Sequence, residues 1–268
     1  KVYAENPDLV SYKVLSVRKK YFGNIDINDP FFESFKNDYQ GFEKWFNRKS
    51  DEVAYICENQ DTKEVEAFLY LKVEDENESY ADITPQFSQK KRLKIGTFKV
   101  VMNGFKLGER FLKIIFDNAL INKVDEIYVT IFQKRLEQQR LINLLREWGF
   151  IKHGEKTTSS GTETVFIRDF SKEANLLNPT HTYPYISTKA NIFLVPIYPD
   201  YHTELLPDSI LNTEKKEDFI DNEPHRNAIR KVYLSRSIER NLHPGDIIVF
   251  YRTKSANQNA YYSSVVST

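Results

Sequence analysis

The sequence predicts an α/β (α+β) chain: a mixed sheet flanked by helices, followed by a smaller β-rich unit towards the C-terminus. Two observations carry the first part. Residues 93–119 (LKIGTFKVVMNGFKLGERFLKIIFDNA) run from a β-branched strand pattern, through a turn holding Gly104 and Gly108, into a helix with Phe111, Leu112, Ile114, Ile115, Phe116 and Ala119 on one side. Residues 126–150 repeat the change of period: EIYVTIF alternates as a strand, RLEQQRLINLLREW places Leu136, Leu141, Leu144, Leu145 and Trp148 on one helical side, and Gly149-Phe150 closes it. A third observation carries the second part. After the proline-containing stretch 171–188 the strand pattern starts again at NIFLVPIYP.

Composition bounds the possibilities. The chain has 268 residues, 40% of them hydrophobic and 14% aromatic, enough for real cores and too apolar for a disordered chain. Lys+Arg and Asp+Glu both number 38, so no global field draws the chain to nucleic acid or a membrane surface. The single cysteine, Cys57, excludes a disulfide framework and points to a reducing, cytoplasmic setting; its place in EVAYICE makes it a buried, inert thiol. No apolar run approaches a membrane span of ~20 residues, and the start carries no signal-peptide pattern. The missing initiator methionine and the final YYSSVVST suggest a piece of a longer protein, with its last strand cut short.

Taken in order, residues 1–7 are an entry segment, and YKVLSVRKKYF within 9–22 alternates as the first strand. Asn28-Asp29-Pro30 signals a helix start, and Phe31, Phe35, Phe42, Trp45 and Phe46 mark one or two helices broken near Gly41. Strands at 51–58 and 65–74 form a hairpin through 59–62, followed by the acidic loop EDENESYAD and the basic cluster QKKRLK. Residues 152–156 and 162–169 form the hairpin that ends the first domain, 8–170. The linker 171–188 leads to a second domain, 189–268. There 203–211 and 214–219 read as short helical or loop pieces, AIRKVYLS (228–235) as a strand, 242–246 as a tight turn and IIVFYR (247–252) as a buried strand.

The loop Asn103-Gly104-Phe105-Lys106-Leu107-Gly108-Glu109-Arg110 and the later Gly149-Phe150 resemble the GNAT N-acetyltransferase family, whose pyrophosphate loop reads Arg/Gln-x-x-Gly-x-Gly/Ala at the start of a helix. The resemblance covers roughly 12–170. Asn103 stands for the usual basic residue or Gln, Lys106 for the middle glycine, and Leu145 for the tyrosine found in many members. Residues 191–268 resemble a PUA-like barrel of the ASCH or EVE type, incomplete at the C-terminus, through AIRKVYLS, the Leu242-His243-Pro244-Gly245-Asp246 turn and IIVFYR.

The first resemblance implies acetyl-coenzyme A as cofactor. Amides of Asn103, Gly104, Phe105, Lys106, Leu107, Gly108, Glu109 and Arg110 would face its pyrophosphate at a helix N-terminus. Backbone groups of Phe98 and Val100 would pair with the pantetheine arm, with Gly96 marking a bulge that opens the strand. Proton transfer falls to Glu74 or Asp75 as base and to Tyr128 as acid. The second resemblance implies RNA or DNA binding, with Arg226, Arg230, Tyr251 and Arg252 as candidates, although charge across 189–268 is nearly balanced. The histidines show no zinc-ligand spacing, so no metal is expected. The expected function is acetyl-coenzyme A-dependent transfer to an amine acceptor, macromolecular if the second domain presents it. The alternative is a catalytically silent scaffold or acyl-coenzyme A sensor beside a nucleic-acid-binding module.

Overall fold

The computed structural model describes residues 17–59, 61–102, 104, 106–170, 173–206, 224–235, 241–253 and 264–267. Eight strands form one mixed sheet: β1 (Val17–Tyr21), β2 (Val53–Glu58), β3 (Val65–Glu74), β4 (Ile83–Thr84), β5 (Arg92–Val100), β6 (Glu126–Ile131), β7 (Ile151–Thr158) and β8 (Gly161–Asp169), in the order β1-β2-β3-β5-β6-β8-β7-β4. Every neighbouring pair is antiparallel except β5 and β6, which run parallel because α3 (Leu107–Asn122) carries the chain back between them.

Both long helices, α3 and α4 (Leu136–Glu147), lie on one face. Phe111, Leu112, Ile115 and Phe116 of α3 and Ile142 and Leu145 of α4 meet Leu93, Ile95, Ile127, Val129 and Phe166 of the sheet. Each such side chain contributes ~1.5–3 kcal/mol on burial. The left-handed Gly149 (φ +85°) ends α4, and a Cβ there would stand 2.5 Å from the His181 carbonyl oxygen.

The other face is covered by aromatic residues. Asp29 accepts a hydrogen bond from the Phe31 N–H (2.8 Å), with Pro30 at the first position of the following turn. Two short helices follow, α1 (Glu33–Asp38) and α2 (Phe42–Asn47), broken at the left-handed Gly41 (φ +82°). Phe22, Phe31, Phe32, Phe42, Phe46 and Phe68 form this second core, with several rings edge-to-face at 4.8–5.5 Å. A smaller third cluster gathers Tyr80, Ile83, Phe87, Tyr128 and Val165.

The segment read as linker packs on the first domain. Buried Arg168 donates to the carbonyls of His181 (3.2 Å) and Tyr183, while the Tyr185 hydroxyl donates to the Phe170 carbonyl (2.7 Å). Beyond it, β9 (Ile192–Ile197), β10 (Ile247–Arg252) and β11 (Ser264–Ser267) make an open three-stranded sheet, parallel between β9 and β10 and antiparallel between β10 and β11. Helix α5 (Pro199–Leu205) packs there through Leu205, and α6 is the single turn Pro224–Asn227. The turn before β10 forms as expected, with Asp246 accepting from the His243 N–H (2.8 Å).

Of the incomplete barrel expected over 191–268, the described residues show the three strands β9, β10 and β11 and no closure. One expectation differs from the structure: 228–235 is not a strand. In that segment the Ile229 N–H bonds a side chain of α3 and Arg230 pairs with α4, so these groups serve the helices rather than a ladder. Most of the pieces expected at 203–219 and all of residues 1–16 lie outside the described residues.

Candidate functional site

The site begins where two strands part. β5 and β6 are paired only from Arg92 opposite Glu126 to Ile95 opposite Val129. Beyond that point β5 stays with β3 as far as Val100 opposite Ala67, while β6 stays with β8 as far as Ile131 opposite Thr164. A wedge opens between them. Its origin is a bulge at Gly96: Leu71 faces Ile95 and Tyr70 faces Thr97, leaving Gly96 as the extra residue. A Cβ at Gly96 would lie 2.6 Å from the Tyr70 ring, so only glycine admits this bulge beside that tyrosine. The Val101 N–H bonds the Glu66 carbonyl (2.9 Å) on the β3 side. Strand alternation therefore turns the backbone groups of Val100 and Phe98 towards the wedge.

A cleft of about 1170 Å³ runs through this opening. On the helix side it is lined by Met102, Gly104, Lys106, Leu107, Gly108, Glu109, Leu141 and Leu144. Lys106 adopts the left-handed conformation (φ +53°) directly before α3. It thus keeps a glycine-like backbone with a lysine, at a cost of about 1–2 kcal/mol. Its ammonium bonds the Glu109 carboxylate (2.9 Å). Gly108 allows close helix packing, since a Cβ there would meet the Leu144 side chain at 2.8 Å. Gly104 is also left-handed (φ +89°), and Arg110 is half-buried in the first turn of α3. Asn103 and Phe105 lie outside the described residues.

On the opposite face the cleft is lined by Phe35, Asp38, Tyr39, Trp45, Tyr70, Lys72, Lys94, Lys156, Ser160 and Glu163. The α1–α2 turn closes against the β7–β8 hairpin: the Gln40 N–H bonds Ser160 Oγ (3.1 Å), and the Tyr39 hydroxyl donates to Glu163 Oε1 (2.6 Å). Burial, then the Glu163 charge, pushes the Tyr39 phenol well above its usual range, so it stays protonated and donating. Asp38 is held by Arg135 (2.9 Å) and Gln138 (3.1 Å).

Glu74 and Tyr128 come together, but neither lines the cleft. The Tyr128 hydroxyl donates to Glu74 Oε2 (2.6 Å), as does Tyr80 (3.1 Å), and both Glu74 and Tyr128 are buried. Lys72 and Lys94, which do line the cleft, reach Glu74 Oε1 at 3.1 and 3.8 Å. Burial opposes ionisation of Glu74, but the Tyr128 hydrogen bond and then the lysine charges hold its carboxyl below the usual range. Burial pushes Lys94 down, partly offset by Glu74. Burial, then the Glu74 hydrogen bond, pushes the Tyr128 phenol far up.

The basic cluster before β5 is committed inward. Arg92 is buried against Glu126 (2.7 Å), with its guanidinium 4.2 Å from the Phe87 ring centre, and Lys90 also pairs with Glu126 (3.0 Å). The four nucleic-acid candidates differ in exposure and in partners. Tyr251 is exposed on β10 while its neighbour Arg252 is buried near Thr203 (3.4 Å), and Arg230 pairs with Glu147 on α4. Arg226 is half-buried, and its carbonyl accepts from Lys231 (3.1 Å). Among the described residues no three His, Cys, Asp or Glu side chains are grouped as metal ligands, and no helix is long and apolar enough to cross a membrane.

Tyr39, Lys72 and Glu163 were not singled out from the sequence, and Lys94 entered only as the last residue of the QKKRLK cluster. The one signal for the lysines was their alternation on two strands that pair Lys72 with Lys94. Glu163 and Tyr39 are 124 positions apart, and nothing local announces their contact.

No protein-family model matches the chain, and no curated protein matches its sequence. Among solved structures, the chain is similar to a chain of the NatC complex bound to Gag peptide and CoA, at 18% identity and a TM-score of 0.37, over 57% of this chain and 97% of that one. It is similar to Arabidopsis thaliana Naa50 in complex with a bisubstrate analogue, at 14% identity and 0.37, over 58% and 99%. A GnaT-family acetyltransferase from Bordetella pertussis is similar at 12% identity and 0.36, over 59% and 98%.

Proposed function

We propose that the cleft binds an acyl-coenzyme A, with acetyl as the acyl group, and that the chain transfers that group to an amine. The observation that carries this reading is the wedge between β5 and β6, which exposes the backbone of Phe98 and Val100 beside the N-terminus of α3. The first-turn amides and positive end of α3, together with the left-handed Gly104 and Lys106, suit a pyrophosphate. Strand-edge amides suit an extended arm carrying its own amides. When bound, the coenzyme supplies a thioester carbonyl activated for attack by a nucleophile.

The chain's own work is to bind, orient and handle a proton. The β5 edge sets the position of the arm, and a backbone N–H there polarises the carbonyl oxygen. The amine enters the cleft on the α1–α2 face, beside the closed contact between the Tyr39 turn and the β7–β8 hairpin. Among the carboxylates lining the cleft, Asp38, Glu109 and Glu147 pair with cations, and Glu137 is exposed on α4. Glu163 is buried and held by a neutral phenol, so it takes the proton from the entering ammonium. Glu74 supports Lys72 and Lys94 from behind the cleft.

A coenzyme sensor without turnover is the second reading. It is favoured by Leu145, which is fully buried in the first core where a phenol would otherwise stand. The test is amine-dependent release of free thiol from acetyl-coenzyme A across a panel of primary amines and short peptides. Release with an acetylated product supports transfer. Coenzyme binding without release by any amine supports the sensor, and absence of both overturns the assignment of the cleft.

A further inference from the structure

The segment that failed to become a strand packs on the two helices that wall the cleft. The Ile229 N–H donates to Glu109 Oε2 (3.0 Å), while the other oxygen of that carboxylate holds Lys106 (2.9 Å). Glu109 is only 3% exposed. Its two oxygens therefore join the C-terminal segment to the left-handed residue that opens α3. One residue on, Arg230 pairs with Glu147 near the end of α4. Ile229 also packs against the first core, and Ala228 is buried. The segment thus spans both helices that wall the cleft, although it lies more than a hundred residues beyond Glu109 in sequence.

We propose that residues 226–231 form a positioning strap for the coenzyme loop: by fixing Glu109 they fix Lys106, and so the geometry that the loop offers to a pyrophosphate. The inference rests on the coenzyme reading of the cleft and adds that the C-terminal part of the chain sets its affinity. The chemistry argues for positioning rather than for direct contact. Lys106 stands in a conformation that costs energy, and a strained residue persists where its surroundings hold it. Its ammonium is held by Glu109, and Glu109 by a backbone N–H from the strap. Without that N–H, a buried carboxylate loses one of its partners and the lysine loses a fixed counter-charge.

The test is calorimetric titration of coenzyme A into the full chain and three variants. Ile229→Pro deletes the donating N–H, Glu109→Gln removes the carboxylate charge, and the third variant carries both. Ile229→Val, which keeps the N–H, is the control. The strap predicts that I229P and E109Q each weaken coenzyme A binding by about tenfold, that the double variant is no weaker than E109Q alone, and that I229V is unchanged. This non-additivity is what a generally destabilising change would not produce. Should I229P not fold, Glu147→Gln releases the other end of the strap at the protein surface, with a loss of about threefold expected. Unchanged or tighter binding in the variants, or additive losses, would overturn the strap and leave the coenzyme reading standing. Absence of coenzyme A binding by the unmodified chain would overturn both.

Discussion

At the α3 end of the cleft the groups offered to a ligand are mainly main-chain: the open edge of β5 and the first amides of α3, shaped by glycines and one strained lysine. At the far end they are side chains: Tyr39 and Asp38 from the helical turn, Lys72 and Lys94 from two strands, Glu163 from a hairpin. Backbone groups recognise a repeating polar chain and tolerate many side-chain changes, provided the fold holds. Side-chain groups select by charge and shape, and a single substitution removes one. The two ends should therefore fail differently: changes at the first affect coenzyme affinity, and changes at the second affect transfer.

The largest expected effect is at the main-chain end. Gly108→Glu places bulk and negative charge where the loop meets α3 and pushes on Leu144, so coenzyme A binding should fall below calorimetric detection. Retained affinity would show that the loop is not the anion site. Next, Glu163→Gln should lower amine acetylation about a hundredfold while leaving the coenzyme A dissociation constant unchanged. A parallel loss of coenzyme affinity would blur the division between the two ends. Gly149→Ala should destabilise the fold by about 3 kcal/mol in urea unfolding, because the residue is left-handed and a Cβ would strike the docked 181 segment. A neutral result would mean that this segment leaves the body without cost.

The lysine pair of the acceptor end stands on Glu74, and pH sharpens that dependence. The folded-state value of Glu74 lies below the usual 4.5, so its stabilisation is fully present above 4.5 and is lost as pH falls through the folded-state value. Unfolding measured between neutral pH and pH 3 should show a shallower acid loss in Glu74→Gln than in the unmodified chain. Equal slopes would place the acid sensitivity elsewhere. The smallest effect concerns Cys57, whose thiol is pushed up to about 12 by burial and then by Glu66 and Glu58. It should resist thiol reagents at neutral pH until the chain unfolds.

The same division explains what the sequence disclosed. Strand, glycine turn and helix over 93–119 are contiguous, so period and turn chemistry reveal them before any folding is considered. Gly96 was legible as a bulge because a lone glycine inside a strand pattern has few other uses. The acceptor end was not legible, because Tyr39, Lys94 and Glu163 come to one cleft only once distant elements take their places. Glu74 and Tyr128 were drawn from the right strands but lie behind the cleft wall, since alternation alone does not say which face of a two-sided sheet is open. AIRKVYLS shows the opposite failure. Its pattern suits a strand, yet a buried carboxylate on α3 and an exposed one on α4 engage its N–H and its arginine.

The measurement that bears most directly on the wedge is amide hydrogen exchange of the unmodified chain with and without saturating coenzyme A. New protection concentrated at 97–101 and 107–110, with the β1–β2 pair unchanged, is the predicted result. Protection confined to other segments, or no change at saturation, would contradict the claim that the opening between β5 and β6 holds the coenzyme.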